Sequence, residues 1–212
     1  MRIDDDNYEK MSVAASERFL TFDQEEIFAR WPLLHNEESI FIRFVGKDYR
    51  IDRRSGRIYE GDRMASHAEV LSILDMICLS QKPPNATGEW VTLTQLTNAA
   101  GVGPADTKLL GQVLSPFDGR TKALDEACRR LGGQPMKVGD VSWLIPAFDH
   151  FPVWFRYWEG DDEFPASISF LWDKSTPQHL HYETTWYVMQ HILRRLIEID
   201  QTEGTKYESD TE

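Results

Sequence analysis

The chain has 212 residues, 41% of them hydrophobic and 12% aromatic, enough apolar side chain to bury a core and to exclude a wholly disordered protein. Acidic residues number 35 against 23 basic ones, a net charge of −12. Such a surface repels phosphate backbones and anionic headgroups, so neither nucleic acid nor membrane is an expected partner.

No apolar run approaches the length of a membrane span. The acidic start Met1-Arg2-Ile3-Asp4-Asp5-Asp6 lacks the basic end and apolar stretch of a secretory signal. The only cysteines, Cys78 and Cys128, lie far apart among apolar helical positions. They suit reduced, buried thiols, and the expected location is the cytoplasm. Asn85-Ala86-Thr87 then matches a glycosylation acceptor by chance.

In chain order, Asn7 to Phe22 reads as an amphipathic helix, with Tyr8, Met11, Ala15 and Phe19 at helical spacing. A short helix from Asp23 to Trp31 stops before Pro32. Ser39 to Val45 alternates as a strand, Ile40, Ile42 and Phe44 sharing one face. With Tyr49 to Asp52 and Arg57 to Tyr59, separated by Gly46-Lys47 and Ser55-Gly56, it predicts a three-stranded antiparallel meander. Ser66-His67-Ala68-Glu69 is a capping box opening a helix to about Leu79, with Val70, Leu71, Leu74, Ile77 and Cys78 on the buried side.

Lys82-Pro83-Pro84-Asn85 forms a linker, and residues 81–88 are the candidate boundary between two subregions. Trp90 to Leu93 is a short strand. Gly101 to Pro104 leads into a helix near Ala105 to Leu114, and another spans Lys122 to Leu131, capped by Gly132-Gly133. Asp140 to Pro146, Val153 to Trp158 and Ser167 to Trp172 are strands, the last two a hairpin around an eight-residue connection. A final helix runs from about Glu183 to Ile199, and 203–212 reads as a disordered acidic tail. The expected fold is α+β: a meander and a later β-hairpin with helices packed on the sheet, a single domain over 1–202.

Familiar catalytic signatures are missing. Gly101-Val102-Gly103 lacks the third glycine of a dinucleotide loop, and there is no GxxxxGK, GxSxG or HExxH. His67-Ala68-Glu69 lacks the PCxxC partner of a zinc deaminase, and neither cysteine has a CxxC companion. His179, His181 and Glu183 alternate, so in an extended chain they would share a face and could meet one metal ion. The plainer reading is a turn entering the last helix, with Glu183 at its positive end.

The strongest signal is Val153 to Ala166. Trp154, Arg156 and Trp158 share one strand face, and a guanidinium between two indoles can stack on both. If buried it also needs an anion, which Asp173 or the acids at the hairpin tip would supply. The tip carries Glu159, Asp161, Asp162 and Glu163, whose crowding raises carboxyl pKa values unless a cation neutralises them. Asp161, Asp162 and Glu163 are therefore candidates for a hard-cation site or an acid–base pair. Equally, they fit a solvated turn that keeps the hairpin from edge pairing. Phe164-Pro165 fixes the connection rather than letting it move freely.

The run Arg156-Tyr157-Trp158-Glu159-Gly160-Asp161-Asp162-Glu163-Phe164-Pro165-Ala166, with Leu171-Trp172-Asp173 and His181-x-Glu183, resembles the prokaryotic family of domain of unknown function 3786. Gly88-Glu89-Trp90 and Gly139-Asp140 extend the likeness more weakly. The family occurs mainly in anaerobes and has no established activity. Some relatives are joined to cysteine-rich iron–sulfur segments or lie beside corrinoid and one-carbon proteins. The resemblance thus implies an accessory role in corrinoid or iron–sulfur cofactor metabolism, although this chain has no such segment.

The sequence leaves two functions. One is a non-enzymatic binding or accessory protein whose small-molecule cofactor or protein partner sits against Trp154, Arg156, Trp158, Trp172 and Asp173. The other is a metal- or cofactor-dependent enzyme using Asp161, Asp162 and Glu163 with His179 or His181. No residue pattern names the cofactor.

Overall fold

The computed structural model describes residues 3–97 and 114–209. Its elements in chain order are α1 (Ile3–Leu20), α2 (Gln24–Arg30), β1 (Leu34–His35), β2 (Ser39–Phe44), β3 (Lys47–Asp52), β4 (Ile58–Glu60), β5 (Arg63–Met64) and α3 (His67–Leu79). Then come β6 (Trp90–Val91), α4 (Leu93–Thr97), α5 (Thr121–Arg130), β7 (Gln134–Pro135), β8 (Val141–Phe148), β9 (Phe151–Trp158), β10 (Ser167–Asp173) and α6 (Tyr182–Ser209). The helix expected near Ala105 to Leu114 falls mostly outside the described residues.

The fold is α+β, as the alternation implies. Strands β2, β3 and β4 form the meander, and β9 and β10 form the hairpin. These are not separate sheets. Order β5-β4-β3-β2-β8-β9-β10-β6 makes one antiparallel sheet, with β1 added on β2 and β7 on β8. The junction between meander and hairpin is narrow: Phe44 pairs with Phe148, and the Val45 amide donates to Ala147 O at 2.8 Å. A register shift between Pro146 and Phe148 bends β8 there, where a proline has no N–H to give the ladder. The same junction holds Val45 at φ 43°, an unusual conformation for a β-branched residue.

Helices cover one face of this sheet. On β2, Ile40, Ile42 and Phe44 are buried while Phe41 and Arg43 are exposed. Over the buried face, α3 packs between α1 and α6, and α5 and α6 rest on β8. The capping box forms as expected, with Ser66 N–H bonded to Glu69 at 2.6 Å. Helix α3 turns Ile73 and Met76 inward besides Val70, Leu74, Ile77 and Cys78, whereas Leu71 is half-buried. Val188, Ile192, Leu193 and Leu196 give α6 its apolar stripe. This helix continues to Ser209, through part of the stretch read from composition as a disordered tail.

Candidate functional site

Strand β9 sorts its side chains by parity. Phe151, Val153, Phe155 and Tyr157 are fully buried under the helices, while Trp154, Arg156 and Trp158 are half-buried on the opposite face. There the Arg156 guanidinium lies 5.6 Å from the Trp154 ring and 5.2 Å from the Trp158 ring. Trp90, from β6, stands edge-on to Trp154 at 6.0 Å. The Trp154 indole N–H donates to Ser142 Oγ at 2.9 Å, fixing that ring.

Arg156 does not have the partner expected of it. Its Nη2 donates to Ser169 Oγ at 2.9 Å, directly across the strand pair, and neither Asp173 nor the acidic tip reaches it. The Nε is buried without a partner among the described residues. Burial, with no carboxylate to offset it, pushes the guanidinium pKa down.

Asp173 is occupied elsewhere. This fully buried carboxylate accepts from Thr87 Oγ1 at 3.1 Å, Gly88 N at 2.9 Å, Ser175 N at 2.9 Å and Ser175 Oγ at 2.6 Å. Burial raises its pKa, but the Ser175, Gly88 and Thr87 donors outweigh that and hold it below the usual value. Trp90 pairs with Asp173, and Lys174 bridges Glu89 at 2.8 Å. Gly88-Glu89-Trp90 and Leu171-Trp172-Asp173 are thus two sides of one joint, closing the linker onto β10. Trp172 lies on the other side of the sheet, fully buried under the helices and away from Trp154. The structure gathers Trp154, Arg156 and Trp158 and turns Trp172 to the other face, while Asp173 keeps their face but is taken up by its joint with Thr87, Gly88 and Ser175.

The tip is ordered by its own hydrogen bonds. Trp158 pairs with Ser167, so Glu159 to Ala166 is the connection expected. The Asp161 carboxylate accepts from Glu163 N at 2.9 Å and Phe164 N at 2.7 Å, and Asp161 N donates to Phe164 O. Those Phe164 and Glu163 amides lower the Asp161 pKa, the reverse of what crowding predicts. Gly160 is required here, because a Cβ would come within 2.7 Å of Ala166 N. Asp140 accepts from Glu159 N at 2.7 Å, while a Cβ on Gly139 (φ +87°) would meet Tyr157 O at 2.7 Å. Gly139-Asp140 thereby clamps the end of β9. Asp162 and Glu163 point to solvent, and Asp118, Glu159, Asp161 and Phe164 line an open groove of about 410 Å³.

The metal candidates diverge. His179 is fully buried, its Nδ1 2.9 Å from Ser80 Oγ and its ring edge-on to Phe151. Burial, then Lys82, lowers its pKa, so it stays neutral. His181 and Glu183 are exposed where the chain enters α6, and Asp75 accepts from His181 N and Thr184 Oγ1 there. Among the described residues no three His, Cys, Asp or Glu side chains form a group suited to a metal ion. Both cysteines are buried with raised pKa values, Cys78 to about 12, chiefly by desolvation.

One buried charge cluster carries no sequence signal beyond its capping box. Fully buried Glu69 accepts from Tyr49 Oη at 2.8 Å, Arg63 Nη2 at 2.9 Å, Arg194 Nη2 at 3.0 Å and Ser66 Oγ at 2.8 Å. Burial would raise its pKa, but Arg63, Ser66 and Tyr49 together hold it far below the carboxylate range. His191, stacked on Phe44, accepts from Arg194 through Nδ1 at 2.8 Å. Its pKa is pushed down to about 3, first by burial and then by Arg194. The cluster ties β3, β5, α3 and α6 together.

No helix among the described residues is long and apolar enough to cross a membrane. No curated protein and no solved structure matches the chain. Residues 23–195 do match the family model of domain of unknown function 3786, a span holding every element from α2 to β10 and most of the apolar stripe of α6, and the chain belongs to that family.

Proposed function

We propose that the protein is a cytoplasmic binding or accessory module, not a catalyst, whose ligand rests on the sheet face formed by Trp90, Trp154, Arg156 and Trp158. One observation carries this reading: three indoles stand half-buried on the face away from the helices, where indole surface contributes to binding more than to the core. The catalytic alternative has less support. Asp161 is spent on its own turn, and His179 is fully buried where His181 is exposed. A place in corrinoid or iron–sulfur cofactor metabolism is the finer form of the proposal and rests on the family resemblance. With both cysteines buried, support for this chain as a cluster carrier is weak.

Native mass spectrometry of protein purified from its host, beside Trp158→Ala, tests the reading. The expected result is a bound species on the wild type that is lost or depleted in the variant. Equal loading of both proteins would move the site elsewhere.

A further inference from the structure

The chain carries 35 acidic residues, and several of its arginines are neutralised by them. Arg63 pairs with Glu60 and Glu69, Arg53 with Glu25, and Arg195 with Glu198. Arg156 has no acid: its one described polar partner is the neutral hydroxyl of Ser169, and it shares with Arg30 a buried Nε that has no partner among the described residues. Asp173, which strand parity puts on the same face, is already satisfied by Thr87, Gly88 and Ser175. A guanidinium held between two indoles with a buried Nε has lost hydration without gaining a counter-charge. Ser169 occupies one Nη2 hydrogen, which leaves Nη1 and the second Nη2 hydrogen as an end-on fork. That fork matches two oxygens of a carboxylate or phosphate.

We infer that this face takes a small molecule bearing an oxyanion, a carboxylate or a phosphate, on a planar body: the oxyanion meets the Arg156 fork and the body lies against Trp154 or Trp158. The inference rests on the ligand-face reading above and gives that face its ligand class. Ser169 is the positioning residue, because it fixes which edge of the guanidinium is free.

The test is a titration at low ionic strength with benzoate, phenyl phosphate and neutral benzamide, read on the indole N–H resonances of Trp154 and Trp158. The oxyanions are expected to bind about tenfold or more tighter than benzamide, the value of one charge-assisted hydrogen bond. Added salt should weaken them selectively. Arg156→Met should erase the preference and Arg156→Lys retain part of it. Ser169→Ala, with Arg156 intact, provides a weakened-site control if Arg156→Met folds poorly. A clear preference for phenyl phosphate over benzoate assigns a phosphate, and the reverse assigns a carboxylate. Equal binding of benzamide and benzoate overturns the inference but leaves the ligand face standing. If no probe moves either indole, both fall.

Discussion

Replacing Glu69 with glutamine removes the charge at the centre of the buried cluster while nearly preserving shape. Ser66 N–H, Ser66 Oγ and Arg63 converge on one carboxylate oxygen, and Tyr49, Arg63 and Arg194 on the other. A carboxamide can accept on one side only. The arginines, with side chains 47% and 48% exposed, can turn to water, but the donors of Ser66 and Tyr49 cannot all be satisfied. Breaking such a buried pair costs about 3 kcal/mol. In a chain of this size that lowers Tm by roughly 6–12 °C. The effect has a pH signature. The Glu69 pKa is held far below its ordinary 4.5, so the stabilisation is complete above that value and fades as pH falls below it. Urea denaturation of wild type and Glu69→Gln at pH 7, 5 and 4 should therefore show a gap that is widest at pH 7 and narrows by pH 4. Other carboxylates titrate in both proteins and cancel. A gap below about 0.5 kcal/mol at pH 7 would refute the structural reading of the cluster.

Asp173→Ala strands the donors of Thr87, Gly88 and Ser175 and should cost about 3 kcal/mol, with faster hydrogen exchange at Gly88. Unchanged exchange there would show that the joint does not depend on the carboxylate. His191, held near 3 against an ordinary 6.5, lets the unfolded chain bind the extra proton, so stability should fall as pH drops below about 6.5. His191→Asn, which keeps an acceptor for Arg194, should flatten the denaturation midpoint between pH 6.5 and 5. Cys78 and Cys128 should resist a bulky maleimide in the folded protein and label on denaturation. Rapid labelling of both in the native state would contradict their burial.

Much of the fold is legible because side-chain parity survives in the sequence. Alternation along Ser39 to Phe44 and the turns after it define the meander, and Ser66 to Glu69 marks a helix start. Parity also holds an unused signal about the site. An eight-residue connection from Glu159 to Ala166 sets Trp158 opposite Ser167, which places Leu171 beside Trp154 and turns Trp172 inward. What sequence does not carry is long-range meeting. Phe44 opposite Phe148 joins two distant β units through a single paired position. The two-residue strands β1, β5 and β7 are too short for any period to show. Arg194 reaches Glu69 from another helix, so only the capping box at Glu69 could be read locally. For Arg156, sequence places acids close by, but the Asp173 carboxylate is committed to Thr87, Gly88 and Ser175 and that of Asp161 to the Glu163 and Phe164 amides.

The most direct measurement is stability and ligand response on the same Arg156→Met protein. Removing this guanidinium strands no carboxylate. The lost indole contacts and Ser169 bond are partly offset by relief of the buried, unpaired Nε. The net cost should be about 1 kcal/mol or less. The account predicts a nearly unchanged urea midpoint together with loss of the benzoate or phenyl phosphate response at Trp154 and Trp158. A loss of about 3 kcal/mol with the oxyanion response intact would make Arg156 a structural staple and contradict its role as the ligand anchor.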